Sequence, residues 1–158
     1  MKTTGSSKKN IVDGFAVGTV LKTTNPINFL AAVDKKTGVI RDKKYDIFGK
    51  SIKDTVLVFP HGIGSSVGAY TIYSLESNQS APVAMICTKA DLTVASGCAL
   101  ANIPMIVVSN EEFDFIENGT RVEIDTYHLQ TILYNPAENE RWTETSGWHG
   151  PPDHIKEA

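Results

Sequence analysis

Between a β-branched apolar run, Thr55 to Phe59, and an apolar-patterned segment, Val67 to Leu75, the chain reads Pro60-His61-Gly62-Ile63-Gly64-Ser65-Ser66. Gly62 and Gly64 allow backbone dihedrals closed to other residues. Successive N–H groups in such a turn can form a concavity for an anion, and the start of a following helix adds partial positive charge. Ser65 or Ser66 falls where a helix N-cap is expected. On the residues alone, two readings of the serines stay open. In one, a serine caps the helix and the glycines make the turn. In the other, a serine hydroxyl faces a cleft and takes a proton, its alkoxide stabilised by N–H groups and the helix terminus. The loop lacks the Gly-Lys-[Ser/Thr] ending of a nucleotide-binding phosphate loop. His61 lies near enough for a Ser-His-Asp triad, but spacing nominates no orienting acid.

The elements that would hold this loop are set off by Gly, Pro and Asn. Phe15–Leu21 reads as a strand with Gly18 as a bulge or close approach. Asn25-Pro26 breaks it. Ile27–Val33 is a second apolar run, and Asp34-Lys35-Lys36-Thr37-Gly38 is a turn sequence. Thr55–Phe59, Val83–Cys87 and Met105–Val108 look like buried strands. Val67–Leu75 has a helix-compatible pattern. Ala90–Ala101 is ambiguous, with Gly97 in its middle. Glu111–Glu117 is one or two helical turns, Thr120–Thr126 a half-exposed strand, and Leu129–Tyr134 its candidate partner. This order argues for an α/β or α+β domain.

Composition narrows the function classes. The 158 residues suit one domain, and 41% hydrophobic residues supply a packed core. With 15 Lys+Arg against 18 Asp+Glu the formal net charge is −3, which disfavours general nucleic-acid binding. No apolar run is long enough for a membrane-spanning helix. Cys87 and Cys98, both in apolar segments, are the only cysteines. They exclude a disulfide framework, read as core thiols, and make a reducing cytoplasm the natural compartment. No metal spacing is evident among the histidines. The expected organisation is a disordered leader at 1–10, one domain at 11–134 and an irregular tail at 135–158, with Trp142 and Trp148 docking on this domain or on a partner.

Taken in order, several motifs carry a resemblance. They are Asn25-Pro-Ile-Asn-Phe29, Val33-Asp-x-x-Thr-Gly38, Asp46-Ile-Phe-Gly-Lys-Ser-Ile52, Val56-Leu-Val-Phe-Pro60, Gly64-Ser-Ser-Val-Gly-Ala-Tyr70, Ala81-Pro82 and Gly97-x-Ala-x-Ala-x-Ile-Pro104. Together, over roughly residues 11–126, they resemble the small subunit of the aconitase X group. The fold this implies is an α/β swivelling domain of aconitase type, β/β/α, mostly β with a few short helices. Within the group, the stretch from Gly64 to Tyr73 is more similar to the archaeal phosphomevalonate type than to the bacterial cis-3-hydroxyproline type. The resemblance implies a two-subunit hydro-lyase that dehydrates (R)-5-phosphomevalonate to trans-anhydromevalonate 5-phosphate in isoprenoid biosynthesis. It places the serine base on Ser65, with Gly62, Gly64 and Ser66 shaping the loop and binding substrate oxygens. It places an iron–sulfur cluster on a large partner subunit and no cofactor or metal on this chain.

Two positions depart from the resemblance. Relatives often carry Arg where this chain has Ile63, and His where it has Tyr45. Without that Arg, the anion contact falls to backbone N–H groups, to Lys50 or Arg41, or to the large subunit. The alternatives are a hydro-lyase acting on cis-3-hydroxyproline or another hydroxy acid, and a non-catalytic anion-binding module.

Overall fold

The computed structural model describes residues 9–128 and the backbone of residues 130–134 and 142–144. Its centre is four parallel strands, β2 (Phe15–Lys22), β3 (Thr55–Val58), β4 (Ala84–Cys87) and β5 (Met105–Val107). They lie in the order β5-β4-β3-β2. Antiparallel strands extend both sides. β1 (Lys9–Val12) pairs with β5, and β6 (Arg121–Asp125) pairs with β2. β7 (Gln130–Tyr134) and β8 (Trp142–Glu144) continue beyond β6, so the described residues form an eight-stranded sheet.

β3 and β4 read as continuous apolar runs because both sheet faces are covered. Side chains alternate between faces along a strand. Leu57, Phe59, Met85 and Cys87 join a core completed by Ile72 and Leu75 of α2 (Gly68–Ser77) and Val94 and Cys98 of α3 (Leu92–Ala101). Val56, Val58, Ala84 and Ile86 face the other way, against Val122 and Ile124 of β6 and Phe113 of α4 (Asn110–Phe115). The expected α/β class with short helices is what forms.

Gly18 is a close approach: a Cβ there would lie 2.9 Å from Val83 Cγ2. The ambiguous segment around Gly97 is a helix. Asp91 caps its start by accepting the Val94 N–H, and Asn102, in the left-handed conformation, closes it. Gly97 lowers helix propensity by about 1 kcal/mol relative to Ala, but it lets α3 lie directly on α2. A Cβ at Gly97 would sit 2.9 Å from Ile72 Cβ and 3.2 Å from the Ala69 carbonyl. Gly97→Val is therefore expected to destabilise the fold by about 1–3 kcal/mol through overpacking. Thermal denaturation checks this, and an unchanged Tm refutes the close contact.

Two boundaries differ from expectation. β1 starts at Lys9, inside the stretch read as a leader, because its backbone completes the edge of β5. β8 lies inside the stretch read as an irregular tail, and its residues close the outer edge of β7, Trp142 opposite Tyr134. An unpaired strand edge favours such an addition. Residues 1–8, 129, 135–141 and 145–158, with Leu129 and Trp148 among them, lie outside the described residues.

Candidate active site

The Gly-Ser loop leaves the carboxyl end of β3, and the segments that hold it leave the carboxyl ends of the neighbours β2 and β4. This is the sheet edge where open α/β folds place ligands. From the β2 side, Ile27 N–H donates to the His61 carbonyl at 3.1 Å, and Ile63 N–H donates back to the Ile27 carbonyl at 3.0 Å. Thr88, just past β4, donates N–H and hydroxyl to the Pro60 carbonyl at 2.9 and 3.1 Å. Beyond it, Asp91 Oδ1 accepts the Gly62 N–H at 2.7 Å.

Gly62 is buried where no side chain fits, since a Cβ would lie 2.6 Å from Val94 Cγ2 and 2.9 Å from Asp91 Oδ2. Gly64 has φ +93°, and a Cβ there would lie 2.5 Å from Asn28 Nδ2. Asn28 is itself fixed. Its Oδ1 accepts the Ala31 N–H and caps the four-residue helix α1 (Phe29–Ala32), and its N–H donates to the Tyr45 hydroxyl at 3.0 Å. That hydroxyl donates in turn to the Pro26 carbonyl at 2.9 Å. Tyr45, the His-to-Tyr departure, is thus a buried brace behind the loop.

Residues 63–67 then emerge into solvent. Among the described residues, the N–H groups of Gly64, Ser65 and Ser66 meet no acceptor, which leaves three consecutive donors unpaired on exposed residues. The expectation that Ser65 or Ser66 caps α2 is corrected. The cap position is Val67, which has no side-chain cap bond. The chain enters the helix through tight turns in which Gly68 N–H donates to the Ser65 carbonyl and Ala69 N–H to the Ser66 carbonyl. The Ser65 hydroxyl oxygen instead accepts the Val67 N–H at 3.1 Å. That bond fixes the hydroxyl and favours negative charge on its oxygen. The Ser66 side chain has no hydrogen bond of its own among the described residues.

Gly64-Ser65-Ser66-Val67-Gly68 also spells Gly-x-Ser-x-Gly. In a nucleophile elbow that serine sits on a sharp strand-to-helix turn beside a His-acid pair. Here β3 ends at Val58, well before Ser66. The Asp91 carboxylate is engaged by the N–H groups of Gly62 and Val94, and His61 Nδ1 is paired with the Gly62 carbonyl at 2.8 Å. No triad forms among the described residues.

Sequence reasoning missed Asp91 and Asn28, although each stands just before a helix where a cap residue is expected. Of the cations weighed for anion contact, Arg41 leans on Asp34 at 3.6 Å. With Lys35 and Lys36 it lines a groove of about 460 Å³ that reaches Val67. Lys50 is exposed, and its side chain makes no hydrogen bond or ion pair among the described residues. Ile63, in the place of an Arg, is half exposed. Cys87 and Cys98 are fully buried, and burial pushes both thiols well up from their ordinary value. Cys98 Sγ packs 3.5 Å from Met85 Sδ. Among the described residues no three His, Cys, Asp or Glu side chains gather as a metal site, and no helix is long and apolar enough to cross a membrane.

Comparison with known proteins covers this loop and nearly all of its scaffold. The family model described as aconitase X swivel domain matches residues 6–133. A phosphomevalonate dehydratase small subunit of Methanosarcina mazei is 40% identical over 118 residues, covering 74% of this chain and 82% of its own. A protein of the same name from Thermococcus kodakarensis is 41% identical over 117 residues, covering 74% and 86%. The crystal structure of aconitase X from that organism, in its holo form, superposes with a TM-score of 0.76 at 37% identity, covering 81% of this chain and 98% of that one. A family match spanning β1 to β6, the four helices and the Gly-Ser loop, supported by a solved relative of the same shape, means that this chain belongs to the aconitase X swivel domain family.

Proposed function

We propose that the chain is the small subunit of a two-subunit hydro-lyase that dehydrates (R)-5-phosphomevalonate to trans-anhydromevalonate 5-phosphate, active only with its large subunit. The observation that carries this reading is a fixed, solvent-facing serine hydroxyl beside three free N–H donors, in a chain about two-fifths identical to proteins named phosphomevalonate dehydratase small subunit.

The substrate is a β-hydroxy acid. Its proton next to the carboxylate is weakly acidic, and its hydroxide is a poor leaving group. An iron–sulfur cluster, placed by this reading on the large subunit, supplies Lewis acidity for departure of the hydroxide. This chain supplies the other half. Ser65 Oγ, as its alkoxide, takes the proton and becomes the neutral hydroxyl, while the C–H electron pair forms the double bond as hydroxide leaves; the Val67 N–H on that oxygen stabilises the alkoxide before the transfer. The N–H groups of Gly64, Ser65 and Ser66 hold a substrate oxygen against the loop. Gly62 shapes the turn rather than donating to substrate, because its N–H is held by Asp91. Because the loop is exposed, the second body must close over it to exclude water.

The test is anaerobic co-expression with a cysteine-bearing aconitase-like large subunit, followed by assay of 5-phosphomevalonate and cis-3-hydroxyproline dehydration. Turnover of the phosphorylated acid by the complex, and by neither chain alone, is the expected result. A complex that turns over only hydroxyproline overturns the substrate. A chain that binds phosphorylated acids and forms no complex overturns the enzyme reading.

A further inference from the structure

Asp91 stands outside the loop but reaches into it with both oxygens. Oδ1 accepts the Gly62 N–H at 2.7 Å, and Oδ2 accepts the Val94 N–H at 3.2 Å. One carboxylate therefore ties the turn after β3 to the first turn of the helix after β4. The Gly62 N–H is buried, and a buried donor needs an acceptor. Asp91 is its acceptor. The position also leaves no slack, since a Cβ on Gly62 would touch Asp91 Oδ2 at 2.9 Å. Beyond Gly62 the loop has one further anchor, the bond from Ile63 N–H to Ile27, before it turns out to Ser65.

We infer that Asp91 is a positioning residue for the proposed dehydration, setting the height of the Gly64–Ser66 donors and of the Ser65 hydroxyl through the Gly62 N–H. This rests on the reading of Ser65 as the base. Two functions of the carboxylate have to be separated. Capping α3 needs only one oxygen near the Val94 N–H, and a serine supplies that. Holding Gly62 at the same time needs the second oxygen, which serine lacks.

The experiment compares Asp91→Ser and Asp91→Ala with the parent chain, each assembled with the large subunit. Both variants are expected to lose about 10²-fold in kcat, the scale of a displacement of about 1 Å of a reacting group, while Asp91→Ser keeps the Tm closer to that of the parent. In a Ser65→Ala background, Asp91→Ser is expected to cost nothing further, because there is no base left to misplace. In the isolated full-length chain, hydrogen exchange at the Gly62 amide is expected to quicken at least tenfold in Asp91→Ser, with β3 unchanged. Parent-like kcat in Asp91→Ser overturns the inference and leaves capping alone. So does a full additional loss in the Ser65→Ala background. If the parent complex has no dehydratase activity, the functional reading fails, and the Gly62 exchange rate still decides whether Asp91 holds the loop.

Discussion

Replacing Ser65 by Ala in the assembled complex is expected to lower kcat by about 10²–10⁴-fold, the range of a positioned base, with complex formation and Tm nearly unchanged. The side chain is exposed, and its one hydrogen bond among the described residues is from the Val67 N–H two residues on. Removing the hydroxyl therefore leaves no buried donor unsatisfied, because an exposed N–H can turn to water. The α2 helix does not depend on it either, since the entering turns use the main-chain carbonyls of Ser65 and Ser66. Stability and chemistry thus separate at this residue. Steady-state kinetics with a melting curve on the same sample measures both. A Ser65→Ala complex that turns over like the parent removes the base from this chain.

Gly64→Ala carries the next largest expected effect, and there both quantities fall together. At φ +93° an L-residue is outside its allowed left-handed well, and the new methyl would meet the Asn28 amide at 2.5 Å. Backbone strain of this kind costs about 1–3 kcal/mol. Asn28 cannot yield freely, since it caps α1 and its N–H is held by the Tyr45 hydroxyl. The turn must move instead, and the Ser65 hydroxyl moves with it. A loss of about 10²-fold in turnover is expected alongside the lower Tm. Asn28→Gly in the same chain opens the space but leaves the strain. Partial recovery of turnover in the double variant is the mark of the steric part. Full activity in Gly64→Ala alone would mean that the loop adapts and its geometry is not set by Asn28.

The parts of the fold legible in the sequence are those whose pattern matches one environment. β3 and β4 are short apolar runs between turn residues, and β6 alternates apolar and polar positions. Each lies where the pattern puts it. α3 was ambiguous because small apolar residues cover most of its surface and Gly97 lowers its helix propensity. Only contact with Ile72 and Ala69 of α2 makes that glycine an asset. The loop announced itself through Gly62, Gly64 and the serines, because glycine and serine have few local roles. Its supports did not. Asp91 and Asn28 are far from the loop in sequence, and each looks like an ordinary helix cap. Their second task, on Gly62 and against Gly64, exists only once the ends of β2, β3 and β4 are side by side. The serine cap failed for a local reason: the main chain reached the helix through tight turns, which freed the Ser65 hydroxyl for Val67.

The way the sheet is sewn together bears on how the chain reaches this state. Lys9 pairs with Val107, and Phe15 with Asp125. Both edges of the parallel centre are thus sealed by partners remote in sequence. Such closures come late, because a long loop must be ordered before any contact is gained. During synthesis β2, β3 and β4, with the Gly-Ser turn and Asp91, emerge before β5 and β6 can cover their flanks. The nascent domain therefore carries the Gly-Ser turn on an open-edged sheet, and it is exposed to mispairing until its last third arrives.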